Sequence, residues 1–139
     1  MEKKVRGCSL MVRSMDNKVF QDIFDILQPV LPKEWKKLLL FIGYTEGSYT
    51  MKYYTCNDSG VYIDCFSQKE INRAQLIGVF MNIDKIVSPQ RKDLDEKNRW
   101  TVMTMIVDSK GNMKSEFDYT DISEIAIQYE REWEKKYLV

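Results

Sequence analysis

The sequence predicts an α+β domain, an antiparallel sheet of about five strands with three helices in the order αβββαββα. Two observations support this prediction. Stretches with alternating or apolar side chains are joined by short glycine-containing turns, which connect antiparallel neighbours. Three other stretches place apolar residues at helical spacing. The strands group into a three-stranded meander and a later hairpin, and helices separated from hairpins in this way are typical of α+β folds.

The first helix follows an N-terminal arm, residues 1–15, which has no clear period and is expected to be flexible. A single domain is predicted for residues 16–139, because no linker interrupts them and 139 residues is near the usual domain size. Asp16 or Asn17 suits the N-cap, and Pro29 and Pro32 end the helix. Its apolar stripe is Val19, Phe20, Ile23, Phe24, Leu27 and Val30.

The meander is predicted at Trp35 to Tyr44, Ser48 to Cys56 and Val61 to Phe66. Residues 38–42 are apolar at every position, which fits a strand covered on both faces or a short buried helix. Gly43 and the neighbouring helices favour the strand. The turn between the second and third strands is Asn57 to Gly60.

The second helix is predicted from Ile71 to Val87, and Pro89 is expected to end or kink it. Its apolar stripe is Leu76, Ile77, Phe80, Ile83, Ile86 and Val87. The segment from Gln90 to Arg99 is highly charged, with Leu94 as its one apolar residue. It is either an exposed continuation of the helix or a loop.

The hairpin begins at Trp100, predicted to be a core anchor, and turns at Asp108 to Asn112. Alternation in its second strand predicts two faces. The residues expected to be buried are Met113, Phe117 and Tyr119. Those expected to be exposed are Lys114, Glu116 and Asp118. Asp121 or Ser123 then caps a final helix, whose apolar stripe is Ile122, Ile125, Ala126, Tyr129, Trp133 and Tyr137.

Several kinds of chemistry are disfavoured by composition. The chain has no histidine and no C-x-x-C pair, so catalytic triads and structural zinc sites are not expected. No glycine-rich phosphate loop is present. We therefore expect no enzyme activity, cofactor or metal. A formal net charge of zero argues against direct nucleic-acid binding, and no apolar run is long enough to span a membrane. Cys8, Cys56 and Cys65 are interpreted as small apolar side chains in a reducing compartment.

The acidic residues near the hairpin leave three interpretations open: a solvated sheet face, a partner-binding patch or a catalytic pair. Glu116 and Asp118 share one strand face, with Cβ atoms about 7 Å apart. A glycosidase-like pair needs a cleft and one raised pKa. The tyrosines of the meander have two possible roles. They either pack in or over the sheet core, or they are contact residues for a partner.

The segment RWTVMTMIVDSKGNMKSEFDYTD, residues 99–121, carries a family resemblance. A Trp-led strand, a DxxG turn and an F-D-Y sequence followed by acids resemble the YezG-like immunity (antitoxin) proteins of bacterial polymorphic toxin systems. The amphipathic first helix, then Leu31-Pro32-Lys33-Glu34-Trp35 and a strand, is similar as well. The resemblance covers roughly Asn17 to Tyr119 and contains no catalytic motif.

The resemblance implies a cytoplasmic immunity protein of a contact-dependent inhibition or similar toxin system. Such a protein binds a cognate toxin domain, a nuclease, and neutralises it by occlusion, without a small-molecule substrate. The expected partner-binding residues are Glu116, Asp118, Asp121, Glu124, Asp58, Asp64, Tyr54 and Tyr62. The alternative is a small ligand-binding or regulatory α+β domain that buries its ligand between sheet and helix.

Overall fold

The structure, a computed structural model, describes residues 17–138. The helices are α1 (Asn17–Leu27), α2 (Arg73–Lys92) and α3 (Ala126–Tyr137). The strands are β1 (Lys37–Thr45), β2 (Ser48–Cys56), β3 (Tyr62–Asp64), β4 (Val102–Asp108) and β5 (Met113–Asp118). Within the described residues this is the predicted α+β fold, with three helices and a five-stranded antiparallel sheet. The expectations for the arm and for Cys8 lie outside the described residues.

The sheet has the order β3-β2-β1-β4-β5, so β1 is the central strand. Every residue from Leu38 to Ile42 is buried, as predicted for a strand covered on both faces. In one row across the sheet, Phe41 pairs with Lys52 on β2 and with Thr104 on β4, and Thr104 pairs with Glu116 on β5. The register therefore places these side chains on one face of the sheet.

The described chain divides into two compact units. One comprises residues 17–29 and 78–99, and the other comprises residues 30–77 and 100–138. The second unit contains the sheet and α3. Its core on the α3 side is Leu39, Phe41, Tyr54, Val102, Ile122 and Trp133. Gly43 leaves room in this core, because a Cβ there would lie 3.1 Å from the Phe41 ring and 3.3 Å from Ile122.

The helical stripes are confirmed in their central positions. In α1 the buried residues are Val19, Phe20, Ile23 and Leu27. In α2 they are Leu76, Phe80, Ile83 and Val87. The prediction that Ile77 belongs to the α2 stripe is wrong, because this side chain is 46% exposed. Burial follows positions 76, 80, 83 and 87, the narrow stripe of an α-helix that is covered on one side.

Pro89 does not end the second helix, because α2 continues to Lys92. The Asp93 N–H donates to the Pro89 carbonyl at 3.1 Å, which extends the helical hydrogen-bond pattern past the proline. Pro89 has no N–H to donate to the Lys85 carbonyl. Because Lys85 is exposed, water can replace that hydrogen bond. The rest of the charged segment forms a 3-10 turn at Glu96–Asn98.

The third strand is shorter than predicted. It ends at Asp64, and Cys65–Ser67 forms a 3-10 turn instead of continuing the strand to Phe66. The Asp64 carboxylate accepts a hydrogen bond from the Phe66 N–H at 2.8 Å, and this cap favours the turn. Cys56 and Cys65 are buried free thiols.

The burial predicted for Met113 to Tyr119 is wrong in most positions, because exposure does not alternate along β5. Met113 and Tyr119 are exposed, at 37% and 52%, and Phe117 is half-buried. Glu116 and Asp118 are half-buried instead of exposed. β5 is an edge strand, so its apolar face receives little cover, while α3 partly covers its acidic face. Trp100, in contrast, is 1% exposed, which confirms its place in the core.

The predicted cap of the last helix is also wrong. Ile125 occupies the N-cap position of α3 without a side-chain cap, and it is 40% exposed although the stripe predicted its burial. The Asp121 carboxylate accepts hydrogen bonds from the N–H and hydroxyl of Ser123, at 3.0 and 2.7 Å. Both predicted caps are therefore engaged with each other in a turn before the helix begins.

Candidate functional site

The candidate site lies where α3 crosses the face of β4 and β5, and Trp133 is its anchor. Trp133 is 5% exposed, and its indole N–H donates to the Thr104 hydroxyl at 2.8 Å. Its ring meets those of Phe41 and Tyr54, with centroids 5.3 and 5.6 Å apart. A buried aromatic with a satisfied N–H fixes the rotation of α3 on the sheet.

Two tyrosines, one turn before and one turn after Trp133, bond to the acids of β5. The Tyr129 hydroxyl donates to the Asp118 carboxylate at 2.6 Å, and the Tyr137 hydroxyl donates to the Glu116 carboxylate. Residues 129, 133 and 137 recur at four-residue intervals, so they share one side of the helix. Both tyrosine side chains therefore reach the acids of β5 from one side of α3.

α3 is also bonded to β2. The Tyr54 hydroxyl donates to the Glu134 carboxylate at 3.2 Å, and the Lys52 ammonium lies 3.7 Å from the Glu130 carboxylate. The side chains of α3 therefore bond to β2 as well as to β5. These ties orient the side chains that line the site.

The hydrogen bonds set the charge state of the site. The Tyr137 hydroxyl lowers the pKa of the Glu116 carboxyl, and the Tyr129 hydroxyl lowers the pKa of the Asp118 carboxyl. Burial, followed by the same hydrogen bond, raises the pKa of Tyr137 to about 12, and it raises the pKa of Tyr129 as well. At neutral pH the acids are therefore ionised and the tyrosines are neutral donors. Neither acid has the raised pKa that a general acid needs.

These residues form the walls of an open cleft of about 420 Å³ between α3 and the β4–β5 hairpin. The cleft is lined by Val102, Thr104, Glu116, Phe117, Asp118, Tyr129, Glu132, Trp133, Lys136 and Tyr137. Three of these side chains are carboxylates and one is an ammonium, so the cleft has an excess of negative charge. We call it the tyrosine–acid cleft.

Asp121 and Glu124 lie in the connection from β5 to α3, and both are exposed. Hydrogen bonds from the Ser123 N–H and hydroxyl lower the pKa of the Asp121 carboxyl. The Asp118 carboxylate accepts from the N–H and hydroxyl of Thr120, at 3.0 and 2.9 Å. These two turns keep the connection in a defined conformation directly after the strand that carries the cleft acids.

The remaining predicted residues lie on β2, on β3 and in the turn between them, across the central strand from β5. Asp58 is exposed in the β2–β3 turn, while Asp64 and Tyr62 are half-buried on β3. Tyr54 is 5% exposed, and its hydroxyl is already bonded to Glu134. β3 and β5 are separated by four strand spacings, roughly 19 Å at about 4.8 Å each. The predicted residues therefore form two sets, of which only Glu116 and Asp118 line the cleft.

Sequence reasoning missed the α3 residues that line the cleft, because Tyr129 and Tyr137 were assigned to a core stripe. A signal was available: a tyrosine at the margin of a stripe needs a partner for its hydroxyl. The acids two residues apart on the preceding strand could have supplied it. The described residues contain no group of three or more side chains suited to hold a metal ion.

Comparison with known families matches an immunity protein family described as YezG-like over residues 16–139. The chain belongs to the YezG-like immunity protein family. A comparison with curated proteins finds no significant match. Membership confirms the resemblance and supports a general immunity function, a toxin partner and a non-enzymatic role. In residues 17–138 of this immunity protein, no helix is both long and apolar enough to cross a bilayer.

Proposed function

We propose that this immunity protein acts in the cytoplasm and binds the cognate toxin domain through the tyrosine–acid cleft and the β5–α3 connection. The toxin is a nuclease, and its inhibition is by occlusion of the nucleic-acid binding surface. The observation that carries the proposal is the pair of ionised carboxylates, on Glu116 and Asp118, held in place by tyrosine hydroxyls beside the exposed acids of the connection.

The charge of this surface suits a nuclease. A nuclease presents lysine and arginine side chains to phosphates, so its substrate surface is basic. Carboxylates accept charge-assisted hydrogen bonds from those side chains, and several acids on one surface accelerate encounter. Glu116 and Asp118 already have fixed orientations, which lowers the conformational cost of binding.

The oxygen atoms of these acids retain capacity for a partner. Glu116 uses one oxygen for Tyr137, and its other oxygen lies 3.6 Å from the exposed Lys114 ammonium. An ionised carboxylate has about four lone-pair sites, more than these contacts use. Asp121 and Glu124 are exposed and add acceptors next to the cleft.

A small ligand in the same cleft is the second candidate function. The volume of about 420 Å³ is comparable to that of sites for small molecules, and the cleft lies between sheet and helix as that alternative requires. Its lining acids would then select a small cation. This candidate predicts an increase in melting temperature with small cationic ligands and no binding to the toxin domain.

The test is titration of a catalytically inactive form of the cognate toxin domain with Asp121→Lys and Glu124→Lys. Each reversal should weaken binding, with rim contacts mainly slowing association and each desolvated pair costing about 2–5 kcal/mol. The association rate should fall as salt rises. Glu46→Lys, a reversal at an exposed residue of the β1–β2 turn, is the matched control.

Asp58→Lys tests the opposite edge of the sheet in the same assay. Wild-type affinity in both connection reversals, without salt dependence, refutes the proposed surface. Loss of binding in Asp58→Lys alone moves the interface to the β3 edge. Occlusion is tested separately by competition: a nucleic-acid substrate should displace the immunity protein from the inactive toxin domain.

A further inference from the structure

The two edges of the sheet differ in how far they are protected against pairing with another strand. β3 has only three residues before the chain turns into Cys65–Ser67, so that edge is short. β5 has six residues, without proline or glycine, and in the described part of the chain no further strand pairs with it. An open edge of this length presents unpaired backbone groups that can bind another strand.

The hairpin register identifies the backbone groups on the open side of β5. The Asp108 N–H donates to the Asn112 carbonyl at 2.9 Å, so these residues form a hydrogen-bonded pair. Hydrogen-bonded and non-hydrogen-bonded pairs alternate along an antiparallel ladder. The β5 residues bonded to β4 are consequently Lys114, Glu116 and Asp118. The backbone groups that point away from β4 belong to Met113, Ser115 and Phe117.

The sequence of β5 is complementary to itself in the antiparallel direction. When Ser115 of one copy pairs with Ser115 of another, Lys114 stands opposite Glu116 of the other copy. Met113 then stands opposite Phe117. We propose that two copies of this chain associate through β5 in this register, which joins their sheets across a two-fold axis. The proposal does not depend on the proposed function.

The register agrees with both the backbone and the side chains. It pairs the three residues whose N–H and C=O groups are directed outward, so no bond of the β4–β5 ladder is lost. Opposite charges across an antiparallel pair are favourable, and like charges are unfavourable. The Lys114 and Glu116 side chains are 67% and 41% exposed, with 3.6 Å between their charged atoms, so they can exchange partners between copies.

The same charges limit pairing with unrelated strands. Charged side chains on an edge strand usually protect it against indiscriminate pairing. Here the charges of β5 find opposite charges only on a strand with a complementary order of charges. The interface is isologous, because each copy contributes the same surface. A six-residue edge buries little area, so the dimer should be weak. Its dissociation constant should be on the order of 10–100 µM.

Charge exchange tests the register. Lys114→Glu and Glu116→Lys each place like charges opposite one another in both pairs and should weaken association at least about tenfold. Mixing the two variants restores opposite charges in both pairs, so the mixture should regain twice the mass of one chain. Light scattering after size-exclusion chromatography at several concentrations gives the masses. Lys110→Glu, in the exposed turn beside β5, is the matched control and should associate like the wild type.

Ser115→Pro provides a test that does not alter charge. It removes an N–H that points away from β4, a position where an edge strand tolerates proline, so the monomer should fold and fail to associate. Circular dichroism checks the fold of each variant. If Glu116→Lys fails to fold because Tyr137 loses its acceptor, Lys114→Glu and Ser115→Pro decide the question. A monomeric wild type at 100 µM and above, or variants that associate like wild type, overturns the proposal.

Discussion

The hydrogen bond from Tyr129 to Asp118 allows a specific stability test. Tyr129→Phe removes the hydroxyl and keeps the ring, whose centroid lies 6.4 Å from that of Phe41. The bond is 2.6 Å long and its acceptor is charged. Such bonds contribute about 1.5–3 kcal/mol when buried. Because Asp118 is only half-buried, solvent screening reduces the expected loss of unfolding free energy to about 1 kcal/mol.

This loss should depend on pH in a defined direction. The Tyr129 hydroxyl donates to ionised Asp118, and the pKa of that carboxyl is therefore below its usual value. A lowered folded-state pKa contributes stability that is present above the unfolded pKa, about 3.9, and is lost as the pH falls through the folded pKa. The difference in unfolding free energy between wild type and Tyr129→Phe should have its full value at pH 7 and should decrease below about pH 4.

The assay is urea unfolding followed by tryptophan fluorescence at pH 7 and at steps down to about pH 3. At pH 7 the melting temperature of Tyr129→Phe should also fall, by about 3–5 °C. Asp118→Asn in the same background completes a double-mutant cycle and isolates the bond. Tyr119→Phe, at a tyrosine that is 52% exposed, is the matched control. Equal stability of Tyr129→Phe and wild type at pH 7, or a difference that persists at low pH, would refute the reasoning.

Three further outcomes are expected. Trp100→Ala should cost about 3–5 kcal/mol, because the ring is 1% exposed and packs against Tyr44 and Phe117; an unchanged thermal melt would contradict this. Gly43→Ala should destabilise the fold by about 1–3 kcal/mol, since the new Cβ would lie 3.1 Å from the Phe41 ring; a neutral result in urea would show that the ring can move. The purified protein should not hydrolyse nucleic acids, nucleotides or glycosides; turnover abolished by Glu116→Gln would reverse the non-enzyme prediction.

Local physics determined much of the fold. Alternation and turn residues predicted the bounds of β2 as Ser48–Cys56, which the structure confirms. The apolar run at residues 38–42 predicted a strand buried on both faces, and β1 is the central strand. The turn at Asp108 was also correct: its carboxylate accepts from the N–H groups of Lys110 and Asn112, and Gly111 has a φ of +93°. These features depend on residues near one another in sequence.

The candidate site depended on tertiary structure. Period-two alternation placed Glu116 and Asp118 on one face of a strand, but it contains no information about which element covers that face. Only the packing of α3 shows that Tyr129 and Tyr137 reach these acids and half-bury them. The strand order likewise separates Asp58 and Asp64 from the cleft, because sequence patterns do not specify which strands become edges. The sequence by itself determined the elements and the buried centres of their apolar stripes, whereas tertiary contacts decided which charges are buried and which of them lie together.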